Sequence, residues 1–479
     1  MNGSTAPRTF FDKVWDDHVI ADLGDNTALL QIDRVMLHEL SGSVALKSLE
    51  ASGRAPADRG MVFTTIDHIV DTAPGRSLDQ SPSPAGAQMI RATRDASKKY
   101  GFTFFDVGDP RQGIVHVVSP ELGIALPGLT LVCGDSHTAT VGGIGALAWG
   151  IGSSECEHAL ATQTLRLVRP KTMRVNFAGV LPQGVFSKDL ILSLIGDIGA
   201  NAGIGYAVEF AGPVMRAMPV EGRLTVCNMS IEFSAMFGFV APDELTLEYL
   251  RGREFAPKGA DWERAAAYWR TLPGDPGASF DREVIIDCSR LAPQVTWGTS
   301  PQQVAQVDGR VPHPAYTSDV ADRQAIEQAL AYMQLVPGTP LAEIPVDVAY
   351  IGSCTNARLS DLRIAALVLR GKKLAAGVQG ICVPGSSQVK AAAEAEGLDR
   401  VFKDAGFEWH ESGCGFCVHL GNDRLADRRV ISTTNRNFVG RQGPQTRTHL
   451  ASPATVAASA ITGRITDVRA LYGAGREGA

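Results

Sequence analysis

The chain is poor in cysteine and has no long apolar run. Its 479 residues contain 8 cysteines, too sparse a set for a disulfide scaffold. The N-terminus, Met1-Asn-Gly-Ser-Thr-Ala-Pro-Arg8, lacks a charged start followed by an apolar core, so no secretory leader is expected. Reduced thiols in a cytoplasmic protein follow from these two absences. No stretch of about 18 uncharged apolar residues occurs, which excludes a spanning helix. There is also no long basic run, and the formal net charge is −6. A nucleic-acid groove or an anionic membrane surface is therefore not expected as a partner. What remains is an ordinary globular composition, 44% hydrophobic and 20% charged, on a chain long enough for roughly two to four domains.

Short β-branched runs alternate with Ala- and Leu-rich helical stretches, the pattern of an α/β fold. Leu129-Thr-Leu-Val-Cys133 reads as a buried strand that runs into the turn Gly134-Asp-Ser-His-Thr138. The glycine-rich Val141–Gly150 follows, then a helix expected from Ser153 to Arg166. The same grammar recurs at Val346–Ile351, which ends in Gly352-Ser-Cys-Thr-Asn356 before a helix from Leu359 to Arg370. Gly380–Pro384 reads as a further strand. Polar residues at strand carboxyl ends are where open α/β sheets hold ligands. Breaks are expected at Val168–Lys171 and Pro337–Pro340, giving domains 1–170, 171–340 and 341–479, with a frayed tail from Gly473 to Ala479. No internal repeat is evident.

Three cysteines carry the most chemical information. Cys354 stands alone, whereas Cys414 and Cys417 form a C-x2-C pair. Three thiolates neither fill a tetrahedral metal's shell nor complete a four-cysteine iron–sulfur site. A [4Fe–4S] cube held this way keeps one iron free of protein ligands, and a free iron can act as a Lewis acid. Other readings are buried thiols beside a chance C-x2-C, a redox pair, and a catalytic zinc with three cysteines. The remaining cysteines, at 133, 156, 227, 288 and 382, sit mostly in apolar contexts and read as inert core thiols.

Several histidines lie near acids. Asp67-His68, His116 and Asp135-Ser-His137 lie at or near strand ends. A carboxylate beside an imidazole orients it and raises its basicity, which suits proton transfer. Taken singly, each is more often a satisfied core or surface histidine. His158, His313, His410 and His419 read as structural, and His18 and His38 are open. Asn228 and Glu232 offer an amide and a carboxylate close in sequence, with a helix N-cap at Asn228 as the plain alternative. Arg436 and Arg441 flank a glycine turn and could clamp carboxylates through bidentate bonds.

Six segments occur in order: Gly134-Asp-Ser-His-Thr138, Thr225-Val-Cys-Asn-Met-Ser230, Phe255-Ala-Pro-Lys-Gly-Ala-Asp-Trp262, Gln294-Val-Thr-Trp-Gly-Thr-Ser300, Gly352-Ser-Cys-Thr-Asn356 and Asn435-Arg-Asn-Phe-Val-Gly-Arg441. Together they resemble the aconitase superfamily, most closely its isopropylmalate dehydratase large subunits, from about Phe10 to Tyr472. The resemblance implies three α/β domains packed around one [4Fe–4S] cluster, without the family's C-terminal swivel domain. It implies that Cys354, Cys414 and Cys417 ligate three irons and that the fourth iron binds substrate. It casts Asp67 and His68 as an acid pair, and pairs Asp135 with His116 and Glu232 with His137. Asn228 and Asn435 would hydrogen-bond near the cluster, and Arg436 and Arg441 would hold the carboxylates of a small dicarboxylate substrate. Ser136, within the first segment, is carried over as a substrate contact. The reaction implied is dehydration of 2-isopropylmalate and rehydration to 3-isopropylmalate, in leucine synthesis.

Because the chain ends soon after Gly463-Arg-Ile-Thr-Asp467, a separate small subunit is expected to supply the missing domain. Departures from the usual pattern stand at Ile69–Asp71, Phe233–Gly238, Phe416 and Gly443–His449. They leave room for another 2-alkylmalate, including citramalate with citraconate as its alkene. Members that lose the cluster and bind RNA stem-loops form a different alternative, against which the lack of a basic stripe counts.

Overall fold

The computed structural model describes residues 6–473; the start of the segment read for a leader and most of the tail read as frayed lie outside them. The chain forms two compact units, each assembled from separate stretches of sequence. One contains residues up to Ile69 with Pro84–Val180 and Asn201–Asp287. The other contains Val70–Ser83, Leu181–Ala200 and the chain from Cys288 onward.

The first unit is built on two parallel sheets. One has the order Thr103–Phe105, Val62–Thr65, Arg34–His38, Thr130–Cys133, Leu147–Gly150. All four pairings are parallel. The strand first in sequence is central. The next two add on one side and the last two on the other, so the order is doubly wound. The strand Thr130-Leu-Val-Cys133 is buried at every position, as a parallel strand covered on both faces must be. The other sheet runs Phe237–Phe239, Tyr206–Ala211, Lys171–Ala178, Arg282–Asp287 and is also parallel.

The second unit repeats the doubly wound order. Its sheet runs Phe407–Trp409, Gln379–Cys382, Val348–Ile351, Arg429–Ser432, Arg447–Leu450, parallel throughout. Again the strand first in sequence is central. We propose that the three parallel sheets are the centres of the three domains 1–170, 171–340 and 341–479.

Two local outcomes differ from the sequence reading. The helix expected from Ser153 to Arg166 ends at Thr162. Gln163 takes a left-handed φ of 54°, and Thr164–Val168 pairs antiparallel with Thr27–Gln31. Thr164-Leu-Arg-Leu-Val168 alternates with a period of two, and strand pairing overrides the helical continuation. Within the glycine-rich stretch, Leu147–Gly150 is a strand, and a short 3-10 helix spans Thr138–Ile144.

Close backbone approaches explain the glycines here. A Cβ on Gly142 would lie 2.0 Å from the carbonyl oxygen of Gly238, and one on Gly150 would lie 2.4 Å from that of Asp135. Both contacts are with backbone, which cannot swing aside. Gly142→Ala should therefore destabilise the first unit by about 1–3 kcal/mol, the range for overpacking. Urea unfolding of the variant measures the loss directly.

Candidate active site

In the first unit the polar residues gather where the winding of the sheet changes direction. His38 ends the central strand, Asp67 and His68 follow its neighbour Val62–Thr65, and Asp135 to His137 follow Thr130–Cys133 on the other side. Loops that leave in opposite directions open a crevice at such a point. His116 comes from the helix Val115–Glu121. Glu232 comes from the short helix Met229–Phe233.

Asp135 is the hub. Its Oδ1 lies 3.0 Å from His116 Nε2 and accepts the His137 backbone N–H at 2.6 Å. Its Oδ2 lies 2.9 Å from His68 Nε2. The other ring nitrogen of His68 lies 2.6 Å from Asp67 Oδ1. Asp67 Oδ2 accepts the Val115 N–H at 2.8 Å. His137 Nε2 meets Glu232 Oε1 at 2.8 Å. Ser136 is exposed, with its hydroxyl 3.4 Å from His137 Nδ1. Asn228 is buried at the end of the helix Val220–Asn228, and its amide donates to Thr140 Oγ1 at 2.8 Å. It makes no side-chain cap.

The electrostatics follow from burial and pairing. Burial opposes charging His68, yet the carboxylates of Asp67 and Asp135 hold its pKa well above 6.5. Burial likewise opposes ionising Asp135, but bonds from His116, His137 and His68 hold it well below 3.8. The two carboxylates thus favour the imidazolium form of His68, which suits it to hold a proton. His38 stacks on it at 4.1 Å, and burial together with that neighbouring charge pushes His38 down to about 4. His18, also open from sequence, bonds Asp33 and the Val14 carbonyl and is structural.

In the second unit the cysteines stand at the corresponding edge. Cys354 follows the central strand Val348–Ile351, Cys414 and Cys417 follow Phe407–Trp409, and Asn435 follows Arg429–Ser432. The side chain of Asn435 bridges two of the thiols. Its Nδ2 is 3.5 Å from Cys354 Sγ, and its Oδ1 is 3.9 Å from Cys417 Sγ. Arg441 Nη2 also reaches Cys417 Sγ, at 3.6 Å. Arg436 is half-buried beside Asn435.

The loops are stitched together. Thr433 Oγ1 donates to the Gly352 carbonyl and accepts the Gly352 N–H, both at 2.9 Å. The Tyr350 hydroxyl donates to the Cys414 carbonyl at 3.1 Å and accepts the Phe416 N–H at 3.2 Å. A Cβ on Gly352 would lie 2.4 Å from that hydroxyl, so the loop needs glycine there. Ser353 is held at φ 83°, a conformation that costs a non-glycine residue on the order of 1–3 kcal/mol.

Two observations bear on what these thiols can hold. Cys354, Cys414 and Cys417 keep 5–6% exposure, whereas the other five cysteines are at 0%. Burial pushes the Cys156 thiol up to about 12 and Cys133 and Cys382 well above 9.0, which leaves them inert. Among the described residues, the group with all ligand atoms within 4.8 Å of one another is His38, Asp67 and His68. The three thiols spread wider than that.

Sequence reasoning missed Glu39 and Lys188. Glu39 is buried and accepts the backbone N–H groups of Asp67 at 3.0 Å and Ile69 at 2.5 Å. Lys188 is buried on the helix Ser187–Ile198, and its Nζ donates to the carbonyls of Thr433 and Thr434 at 3.0 and 2.5 Å. Burial pushes that amine down to about 7. The available signal was the charged pair Lys188-Asp189 opening a helix that continues with the apolar run Leu190-Ile-Leu192.

Residues 12–463 match the aconitase family (aconitate hydratase). A protein described as 3-isopropylmalate dehydratase large subunit 1, from Bradyrhizobium diazoefficiens, is 54% identical over 468 residues, 98% of this chain and 98% of its own. Among solved structures, the holo-form of aconitase X from Thermococcus kodakaraensis is similar at 12% identity and a TM-score of 0.46, over 85% of this chain and 84% of its own. The chain belongs to the aconitase family and with it to the hydro-lyases.

The pairings set a pH dependence. The folded pKa of His68 lies above 6.5, so its stabilisation is fully present below 6.5 and is lost as pH rises through the raised value. The folded pKa of Asp135 lies below 3.8, so its contribution is present above 3.8 and is lost only as pH falls through the lowered value. The difference in urea midpoint between the wild type and His68→Gln should therefore be largest below 6.5 and shrink as pH rises through the raised value. In the second unit, Tyr350→Phe removes the hydroxyl that bonds the Phe416 N–H and takes one of the hydrogen bonds from the Cys414 carbonyl, which still accepts the Cys417 N–H at 3.1 Å. The expected loss is about 1–3 kcal/mol, read from the urea midpoint.

Proposed function

We propose that this chain is the large, catalytic subunit of a hydro-lyase that converts 2-isopropylmalate into 3-isopropylmalate through isopropylmaleate, in leucine biosynthesis. The observation that carries the reading is the 54% identity, across 98% of both chains, to a protein described as a 3-isopropylmalate dehydratase large subunit. The words "large subunit" in that description support a separate small subunit as partner.

Cys354, Cys414 and Cys417 would hold one [4Fe–4S] cluster, with the Asn435 amide and Arg441 against their sulfurs. When bound, the cluster would supply an iron free of protein ligands as a Lewis acid. The chain's own groups supply the rest. His68 carries a proton on a ring clamped by Asp67 and Asp135 and serves as the acid for a departing hydroxyl. His137, oriented by Glu232, and His116, oriented by Asp135, are the further proton-handling pairs. Arg436 and Arg441 bind the substrate carboxylates as planar forks. Ser136 and the Asn228 amide contribute hydrogen bonds.

Iron and sulfide analysis tests the cofactor. The anaerobically purified chain should contain about four irons and four sulfides, and Cys354→Ser or exhaustive chelation should remove most of both. A chain that takes up zinc alone would break the reading. Kinetics with the small subunit present test the substrate. A clear preference in kcat/KM for 2-isopropylmalate is expected, and a preference for citramalate would replace it with the shorter 2-alkylmalate.

A further inference from the structure

Glu39 is the first residue of the helix Glu39–Ala51, immediately after the central strand of the first unit. It is at 0% exposure. Unpaired buried carboxylates are costly, so this one needs partners. They are two backbone groups far along the chain. Oε2 accepts the Asp67 N–H at 3.0 Å, and Oε1 accepts the Ile69 N–H at 2.5 Å. The residue between those two amides is His68. The preceding residue, His38, lies flat against the His68 ring with 24° between planes. One dipeptide at the strand end therefore holds both the backbone and the ring of the proposed acid.

We propose that Glu39 is a positioning residue for His68: its carboxylate grips the backbone on both sides of that histidine and fixes the ring between Asp67 and Asp135. The inference rests on the proposed role of His68. The grip needs two acceptor oxygens. A carboxamide has one, and its NH2 group would face an N–H. Aspartate keeps both acceptors but is one methylene shorter and cannot reach both amides.

The test compares Glu39→Gln and Glu39→Asp with the wild type. Turnover is measured on the complex with the small subunit, and the His68 ring is titrated by 15N NMR on the full chain, assigned with His68→Gln. Displacing the ring should lower kcat about 10- to 100-fold, with KM within about threefold. The His68 midpoint should fall toward 6.5 as the ring leaves its carboxylates. Glu39→Asp should recover part of both. If Glu39→Gln fails to fold, Glu39→Asp carries the test with the same readouts. A lower urea midpoint with unchanged kcat and unchanged His68 titration would mean a structural role and would overturn the proposal. The titration does not depend on the substrate. A wild-type complex that ignores 2-isopropylmalate, with the midpoint still shifted in the variants, would sink the substrate assignment and leave Glu39 standing.

Discussion

Parallel strands must be rejoined by long crossovers, and that constraint organises everything functional here. When the chain winds outward from a central strand, first one way and then the other, the loops leaving the two middle strands part company. Nothing has to be carved to make a crevice there. In the first unit, the parting loops are the ends of Arg34–His38 and Thr130–Cys133. In the second, they are the ends of Val348–Ile351 and Arg429–Ser432. The first pair of loops carries His38, Glu39 and Asp135 to His137. The second carries Cys354 and Asn435. Rigid strands end just before each group, so the side chains inherit the precision of the sheet.

Burying so many ionisable groups is the expense of this arrangement, since the effective penalty is several kcal/mol per isolated ion. The first unit meets it by sharing. Asp135 serves three histidines through two oxygens, and His68 spends both ring nitrogens on carboxylates. The second unit meets it with neutral donors. Asn435, Thr433 and Tyr350 bond thiols and loop carbonyls without bringing further charge. Two cations depart from this: Arg441, whose Nη2 reaches the Cys417 sulfur, and Lys188, buried among carbonyls, with burial driving its pKa down and the nearby Cys417 pulling it up. A charged hub suits proton storage, and a largely neutral cradle suits a bulky group whose charge is its own.

Of the cysteines, only the pair at 414 and 417 is set apart by spacing; Cys354 stands alone in sequence like the other five, and what the three share is 5–6% exposure where those five have 0%. The histidine–carboxylate pairs were legible only in part. Asp67-His68 is adjacent in sequence, but the Glu232–His137 contact spans 95 residues and the Asp135–His68 contact spans 67. No periodicity encodes contacts of that range. Glu39 was hidden for the same reason, since its partners are backbone amides on a distant loop. The shared winding order of the two sheets was also invisible, because strand order is set by crossovers and leaves no repeated sequence. Thr164–Val168 misled in the opposite sense. Its leucines extend a helical pattern, while its partner strand Thr27–Gln31 lies far upstream.

The residues that depart from the family pattern sort by where they point, and the sorting bears on specificity. Phe233 is fully buried and packs on Phe210 at 6.3 Å, so its bulk fills the core of the first unit. Phe416 packs edge-on against Tyr350 and His410, inside the second unit. Met236 is different. It is exposed and, with Ile151 and Ile231, lines a cavity of about 360 Å³ that also includes Ser136. A thioether there is flexible and tolerant of shape. One extra or missing methylene in an apolar pocket is worth only about 1–3 kcal/mol. Under the proposed reading, in which Ser136 contacts substrate, Met236 is the departure of these three that lies beside that contact, and it would discriminate between alkyl chains only modestly.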